Sequence, residues 1–288
     1  MKLRAAVIAV ACAAAACSST GGVVVPVMMW SWNRPFEPFH IAGNVYYVGR
    51  NDITSYLITT PKGHILIDSI FEESVPRLRD SVQRLGFKFE DVKILLSSHA
   101  HVDHVQGHAA VRKQTGARVL VSAGDAPVIE GGGKGDFLYE GDFAWTPCPV
   151  DGIVKDDDHI ELGGTTLVAH LTPGHTKGAT TWTMQIDEGG QRLDVVFFPS
   201  ANVNPGTRLV NNAKYPNIVD DYRRSFARWK AMPCDVFLGA HGSFFGMKKK
   251  YDLLKDGAQP NPFIDPKGFK RTIAAAEKRF LAILESEQ

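Results

Sequence analysis

The feature that most constrains this chain is a cluster of metal-binding residue types directly after a short apolar run. Residues 92–96 predict a buried strand, and the chain continues as SSHAHVDHVQG. Buried imidazoles and carboxylates need partners for their polar atoms, and one bound metal ion satisfies several of them together. Such donors favour Zn²⁺, with iron or manganese as alternatives, and a solvated histidine-rich turn is the competing interpretation. The cluster comprises His99, His101, Asp103 and His104.

Two further histidines follow predicted strands elsewhere in the chain. His175 comes after a strand that ends at Leu171 and a Pro173-Gly174 turn, and His241 comes after the apolar run in CDVFLGAHGS. Either histidine alone would more often have a structural role. Together with the cluster they make six potential ligands at strand ends, which is typical of a two-metal hydrolytic site at one rim of paired sheets.

The distribution of strand and helix patterns predicts an α/β protein. Short β-branched and aromatic runs fill residues 39–68, and an amphipathic helix is predicted over 71–85. Strands recur in the second half, followed by helices near 218–232 and 266–284. Strand runs in both halves, each followed by helices, favour two sheets covered by helices over one doubly wound sheet.

A glycine-rich stretch at residues 128–141 contains three consecutive glycines. It predicts a flexible surface loop, because glycine runs are typical of exposed connections. No Gly-Lys-Ser/Thr follows the run, so the stretch does not predict a phosphate-binding loop.

The N-terminus has the pattern of an export signal. Residues 1–17 carry two basic residues and then a small-residue apolar run too short to span a bilayer. Residues 14–17 read Ala-Ala-Ala-Cys, similar to a bacterial lipoprotein box with Ala14 in place of the usual Leu. Cys17 is therefore a candidate lipid anchor, with cleavage after an Ala-x-Ala site as the alternative. We expect a periplasmic location, a flexible leader over 18–29 and one catalytic domain over 30–288.

The charge balance argues against nucleic acid as a partner. The chain has 32 Lys+Arg against 31 Asp+Glu, a formal charge of +1, which provides no field for binding nucleic acid. The run Lys248-Lys249-Lys250 predicts a solvated basic surface.

The sequence leaves the state of the two body cysteines open. Export favours disulfides, but the separation of Cys148 and Cys234 in sequence does not give their distance in space, so a bridge and two buried thiols both stay open.

The motifs His-x-His-x-Asp-His and Pro-Gly-His and the late strand-end histidine together resemble the metallo-β-lactamase superfamily. This resemblance implies a four-layer αβ/βα sandwich, with two mixed sheets face to face and helices outside. The superfamily also contains thioesterases, lactonases, sulfatases and nucleases, so the motifs alone do not identify the substrate.

The residue at position 200 narrows the choice among the branches of this superfamily. Thioesterases and nucleases of the superfamily usually place a bridging Asp at the end of the strand between the third and the last histidine, and Ser200 stands there in this chain. The pattern resembles the third subclass of class B β-lactamases, and FEPFHIAGNVYYVG, GGGKGDF and TPGHTKGATTW extend the likeness over residues 30–251. Some members bridge the equivalent of Cys234 to a cysteine near the C-terminal helix, but residues 264–272 contain none.

The resemblance implies a site for two zinc ions. The first ion would be held by His99, His101 and His175, and the second by Asp103, His104 and His241. Asp103 would also orient the hydroxide that attacks the substrate. Ser200 and Asn202 would hydrogen-bond the substrate carboxylate, although a plain strand cap is an alternative for Ser200. Trp30 or Trp32 and residues 136–139 would line the groove.

These implications predict a monomeric zinc β-lactamase that hydrolyses penicillins, cephalosporins and carbapenems and confers antibiotic resistance. One alternative is a lactonase or thioesterase of the same fold. Another is a periplasmic zinc-binding protein without enzymatic activity, but six ligands exceed the four that close a structural zinc site.

Overall fold

The computed structural model describes residues 31–139 and 142–288, and two mixed β-sheets form the centre of this part of the chain. The predicted export signal with Cys17, the predicted leader over 18–29 and the predicted groove residue Trp30 lie outside the described residues. Within the described ranges, no helix has the length and apolar character needed to cross a bilayer.

The first sheet has seven strands in sequence order, antiparallel from β1 to β4 and parallel from β4 to β7. Side chains of β4 alternate between two apolar clusters: Ile65 and Ile67 face the second sheet, and Leu66 faces the helices. Both faces are buried, so such strands read as continuous apolar runs. The strands are β1 (Phe39–Ala42), β2 (Val45–Tyr47), β3 (Tyr56–Thr60), β4 (Gly63–Ile67), β5 (Val92–Leu96), β6 (Arg118–Ser122) and β7 (Gly152–Val154).

The second sheet has five strands in the order β12-β11-β10-β9-β8. Its pairs are antiparallel except for β11 and β12, which are parallel. The carboxyl ends of β9, β11 and β12 therefore lie at the same edge of the sheet. The strands are β8 (His159–Leu162), β9 (Thr165–Leu171), β10 (Thr180–Glu188), β11 (Gln191–Phe198) and β12 (Val236–Gly239).

Helices cover the outer faces of both sheets, which confirms the predicted sandwich. The apolar side of α1 packs on the first sheet, and α5 and α7 pack on the second, where the rings of Phe226 and Phe280 lie 5.5 Å apart. The helices are α1 (Val75–Arg84), α2 (Val102–Val105), α3 (His108–Thr115), α4 (Ala126–Glu130), α5 (Ile218–Ala231), α6 (Met247–Lys255) and α7 (Gly268–Ser286). Short 3₁₀ turns occupy Glu72–Ser74, Phe89–Asp91 and Gly242–Phe244.

The glycine-rich stretch at 128–141 differs from the predicted flexible surface loop over most of its length. It begins within α4, and Gly132 and Gly133 are buried under the segment that carries Trp145. A Cβ on Gly133 would lie 2.3 Å from the carbonyl oxygen of Phe143, so only glycine permits this close approach. The glycines here allow backbone packing, while residues 140–141 are outside the described ranges.

The two body cysteines are free thiols, which answers the question that the sequence left open. Cys148 is buried in the apolar cluster between the first sheet and its helices, whereas Cys234 packs against the other apolar cluster. Helix α6, which the sequence patterns did not predict, contains the basic run 248–250.

A buried carboxylate joins the loops that leave the two sheets. Asp125 accepts hydrogen bonds from the backbone N–H of Ala100 at 2.9 Å and of Gly178 at 2.9 Å, and from Thr176 Oγ1 at 3.0 Å. A Cβ on Gly178 would lie 2.4 Å from the backbone nitrogen of Asp125, so this contact requires glycine. Burial raises the pKa of Asp125 to about 7 despite these three donors. The carboxylate therefore fixes the loop after β5 against the loop after β9.

Replacing Asp125 with Ala should destabilise the protein by about 2–4 kcal/mol, because three donors at a buried position lose their acceptor. Chemical denaturation of the variant and the parent measures the difference. Asp252→Ala is the matched control, since Asp252 pairs only loosely with Lys248 at the surface and its loss should cost less than about 1 kcal/mol. Equal stability of the two variants would contradict the bracing role of Asp125.

Candidate metal centre

The first three predicted histidines and Asp103 are held by the carboxyl end of β5 and the helix that follows. His99 and His101 lie in the connection, and α2 presents Asp103 and His104 from adjacent positions. His101 is extended, with φ −90° and ψ 154°, and its carbonyl accepts the backbone N–H of His104 at 3.0 Å. The connection and the single helical turn together direct four polar side chains to the end of the strand, where all four are buried.

The other two histidines come from the second sheet. Gly174, which precedes His175, has φ +139°, and a Cβ there would lie 2.8 Å from the ring of Tyr222, so the turn requires glycine. His241 follows β12, and its backbone forms an isolated bridge with Ile53, in the connection between β2 and β3 of the first sheet. These constraints place both rings at the seam between the sheets.

The structure brings all six predicted ligands together in two groups. Within each group, one ligand atom from each residue lies within 4.8 Å of the others. The groups adjoin, because the ring centroids of His99 and His104 are 4.2 Å apart. The first group is His99, His101 and His175, and the second is Asp103, His104 and His241, as the resemblance implied.

Hydrogen bonds fix four of the five imidazoles through the same ring atom. The Nδ1 of His99 lies 3.0 Å from Ser98 Oγ, and that of His104 lies 3.2 Å from Asp68 Oδ2. The Nδ1 of His175 lies 2.7 Å from the Asn202 carbonyl, and that of His241 lies 3.0 Å from Asp52 Oδ2. Since each of these partners accepts a hydrogen bond, Nδ1 is the donor and Nε2 keeps a free lone pair for a metal.

The carboxylate of Asp68 supports one histidine of each group, His104 directly and His99 through Ser98. It accepts the backbone N–H of Ser98 at 2.7 Å and the hydroxyl of Ser98 at 2.6 Å, and it also accepts Nδ1–H of His104. Asp68 has φ +63°, in the left-handed region that non-glycine residues seldom adopt. Backbone strain of this kind persists where surrounding contacts enforce it, and here it directs the carboxylate to both ligand groups.

The first group consists of neutral imidazoles. Burial lowers the pKa of His99 and of His175 well below the ordinary value, and neighbouring histidines lower it further. Burial also lowers the pKa of His101, to about 4. Neutral imidazole is the form that binds a metal ion, so these three rings are available as ligands at neutral pH.

The second group attracts a positive charge, which can be a proton or a metal cation. Burial opposes protonation of His104, but the carboxylates of Asp103 and Asp68 outweigh it and raise its pKa to about 10. The Nε2 atoms of His104 and His241 lie 3.3 Å apart, and each lies within 3.4 Å of Asp103 Oδ2. Three electron-pair donors converge on one point, an arrangement that requires a proton or a metal cation between them. The donor set therefore fits a divalent metal ion such as Zn²⁺.

Ser200 and Asn202 lie beside this centre, but their visible contacts are internal. Ser200 is buried, and its hydroxyl accepts the backbone N–H of Asn202 at 3.2 Å, as a strand cap would. The carbonyl of Asn202 accepts Nδ1–H of His175 and the hydroxyl of Tyr222, each at 2.7 Å. Asn202 therefore orients a candidate ligand through its backbone, and the contact of both residues with a substrate carboxylate stays a prediction.

Aromatic rings border the two groups. Trp32, predicted for the groove, and Phe244 each place a ring centroid 5.1 Å from that of His241. Tyr139 lies 5.4 Å from His101 on the other side. Asp136 is buried and accepts the backbone N–H groups of Leu138 and Tyr139, which holds the Tyr139 turn in place, and its Oδ2 lies 3.7 Å from His101 Nε2.

Sequence reasoning missed the carboxylates that support the ligands. Asp68 ends the apolar run HILI, which is a signal of the same kind as the ligand cluster, a charged residue at the end of a buried strand. Asp52 carries no such signal, because it lies in a turn 189 positions from His241. Only the three-dimensional structure brings Asp52 and His241 together.

Comparisons with known proteins agree with this geometry. Residues 48–188 match the model of the metallo-beta-lactamase superfamily. The native FEZ-1 metallo-beta-lactamase from Legionella gormanii is 48% identical, with a TM-score of 0.87 over 88% of this chain and 98% of that one. BJP-1, a subclass B3 metallo-beta-lactamase of Bradyrhizobium japonicum, is 41% identical, with a TM-score of 0.85 over 91% and 98%.

Curated relatives match more distantly. A hydroxyacylglutathione hydrolase of Methylobacterium sp. (strain 4-46) is 24% identical over 187 residues, which cover 65% of this chain and 62% of the relative. The chain thus spans less than two thirds of the length of the first curated relatives it matches. With 48% identity across nearly all of a solved metallo-beta-lactamase, the chain belongs to the metallo-β-lactamase superfamily.

Proposed function

We propose that this protein is a zinc-dependent β-lactamase that hydrolyses the amide bond of penicillins, cephalosporins and carbapenems. The observation that carries the proposal is the pairing of the two ligand groups at one seam, with Ser200 where superfamily thioesterases carry a bridging Asp. The identity with the FEZ-1 and BJP-1 enzymes supports the same substrate class.

The six ligands would hold two zinc ions, one in each group. When bound, zinc lowers the pKa of a coordinated water toward about 7 and stabilises the negative charge that develops on the substrate. The fixed Nδ1 tethers keep the imidazoles in place, so little reorganisation is needed during the reaction. Hydrolysis adds one water across the carbon–nitrogen bond, and no covalent intermediate with the protein is involved.

Asp103 has a defined part in this mechanism. Burial would raise its pKa, but His104 and His241 lower it well below the ordinary value, so Asp103 is ionised at neutral pH. An ionised carboxylate can accept a hydrogen bond and can also contribute an oxygen ligand to a cation. We therefore assign Asp103 to orienting the attacking hydroxide and to holding the second ion.

The aromatic border would position the substrate. Trp32, Phe244 and Tyr139 offer apolar surfaces on two sides of the ligands, against which the fused rings of a β-lactam would pack. Ser200 and Asn202 lie next to His175, and we assign them to hydrogen-bonding the substrate carboxylate. The buried hydroxyl of Ser200 would reach that carboxylate through Asn202 or a water molecule.

Hydrolysis of a thioester is the second candidate function. It is favoured by the match to hydroxyacylglutathione hydrolases, whose name describes cleavage of a glutathione ester. Ser200 argues against it, because the position offers a neutral hydroxyl in place of a bridging carboxylate.

Two further features belong to the proposal. Export to the periplasm, with Cys17 as a candidate lipid anchor, rests on the signal pattern of residues 1–17. A monomer is proposed because the ligands in both groups come from one chain.

The purified protein should hydrolyse a chromogenic cephalosporin, lose this activity after treatment with a chelator, and regain it when zinc is added back. The reason is that the six candidate ligands would hold the metal ions on which the proposed reaction depends. Absorbance of the opened ring measures the reaction, and S-lactoylglutathione serves as the competing substrate. Hydrolysis of the thioester without hydrolysis of the cephalosporin would favour the second candidate function.

Replacing His241 with Ala should reduce the bound zinc from two ions to one per chain and lower kcat/KM by at least about tenfold, because the second group loses one of its three ligands. Metal analysis and cephalosporin kinetics provide the two readouts. His159→Ala is the matched control, since His159 is exposed on β8, and it should keep both ions. Retention of two ions by His241→Ala would contradict the assignment.

A further inference from the structure

A cavity outside the metal centre lies between α6 and the start of α7, next to the loop that carries His241. Its volume is about 630 Å³, within the range that binds small molecules. Phe244, Pro262, Ile264 and Pro266 give it apolar walls. Its polar lining comes mainly from Lys249, Lys250, Asp265, Lys267 and Arg271.

Lys250 is the unusual member of this lining. The basic run at 248–250 predicted solvated side chains, but the Lys250 side chain is only 12% exposed. Its ammonium nitrogen is buried, and no described residue accepts a hydrogen bond from it. The nearest carboxylate oxygen, Asp265 Oδ2, lies 3.5 Å away. A buried cation with unused donors is costly, so the position favours an additional acceptor.

Asp265 satisfies Lys250 only in part, because their contact is long and uses one of the three donors of the ammonium group. The same Oδ2 atom lies 2.9 Å from Arg271 Nη2, so one carboxylate oxygen is shared between two cations. The lining contains four cationic side chains and this one carboxylate, which leaves an excess of three positive charges. Lys267 and Gly268 at the start of α7 add the positive end of a 19-residue helix to the same wall.

We propose that this cavity binds a small organic anion. A carboxylate or phosphate group would accept hydrogen bonds from Arg271, and the enclosed Lys250 ammonium would turn towards it from the same wall. An apolar body would lie against Phe244 and Pro262. The excess positive charge selects an anion, and the apolar walls select an organic one over inorganic phosphate.

The cavity and the metal centre share one wall. Phe244 lines the cavity, and its ring also contacts His241 with a centroid distance of 5.1 Å. Thr272 of α7, another lining residue, donates its hydroxyl hydrogen to the Phe244 carbonyl at 3.2 Å. An occupant of the cavity would therefore touch the loop that positions a candidate ligand, without entering the ligand groups themselves.

Calorimetric titration of the zinc-loaded protein with phenyl phosphate and with benzoate tests the proposal. At least one of these anions should bind saturably, and neutral benzyl alcohol and inorganic phosphate should bind more weakly. Lys250→Met keeps the length of the side chain and removes its charge, and it should weaken binding by about tenfold or more. Lys248→Met is the matched control, because Lys248 is on the same helix, exposed and outside the cavity, and it should bind like the parent.

Thermal melting establishes whether Lys250→Met is folded, and Arg271→Met provides a second variant of the cavity if it is not. Parent-like affinity in both cavity variants would place the anion at the metal centre and overturn the proposal. Failure of both anions to bind the parent would overturn it as well. Comparison of the two anions distinguishes a preference for phosphate from one for carboxylate.

Discussion

The structure depends on six polar side chains that meet at the seam between two sheets, five of them buried and the sixth, His241, only 13% exposed. Each would be costly there without a partner, and four of the five imidazoles are fixed through Nδ1 by a hydroxyl, a carboxylate or a carbonyl. These partners hold the opposite ring nitrogens ready for cations. The first group is neutral and the second carries the Asp103 carboxylate, so the two groups offer different charges to two ions.

The fold makes this arrangement possible because the ligands come from the carboxyl ends of strands in both sheets. Two carboxylates then join the segments that carry the ligands. Asp125 ties the loop after β5 to the loop after β9, and Asp68 contacts His104 directly and His99 through Ser98. The site is therefore a property of the packed sandwich. Each group takes two ligands from the first sheet and one from the second, so neither sheet alone completes a group.

Sequence patterns and the family resemblance together were sufficient for the fold and for the residues that form the two groups, because strand-end motifs are local signals. A buried strand followed by His99 and His101 is visible without a structure, and the wider motif resembles one superfamily. Long-range contacts were not predictable: Asp52 supports His241 from 189 positions away, and Lys250 is buried although its run reads as solvated. The stretch at 128–141 differs from the predicted surface loop, because Gly132 and Gly133 are buried and allow close packing of the backbone.

We propose that the two groups bind two zinc ions at the seam, and diffraction from crystals of the zinc-loaded protein on both sides of the zinc absorption edge tests this binding. Two anomalous peaks are expected, one among His99, His101 and His175 and the other among Asp103, His104 and His241. No peak at the seam, or zinc bound only elsewhere on the chain, would contradict it.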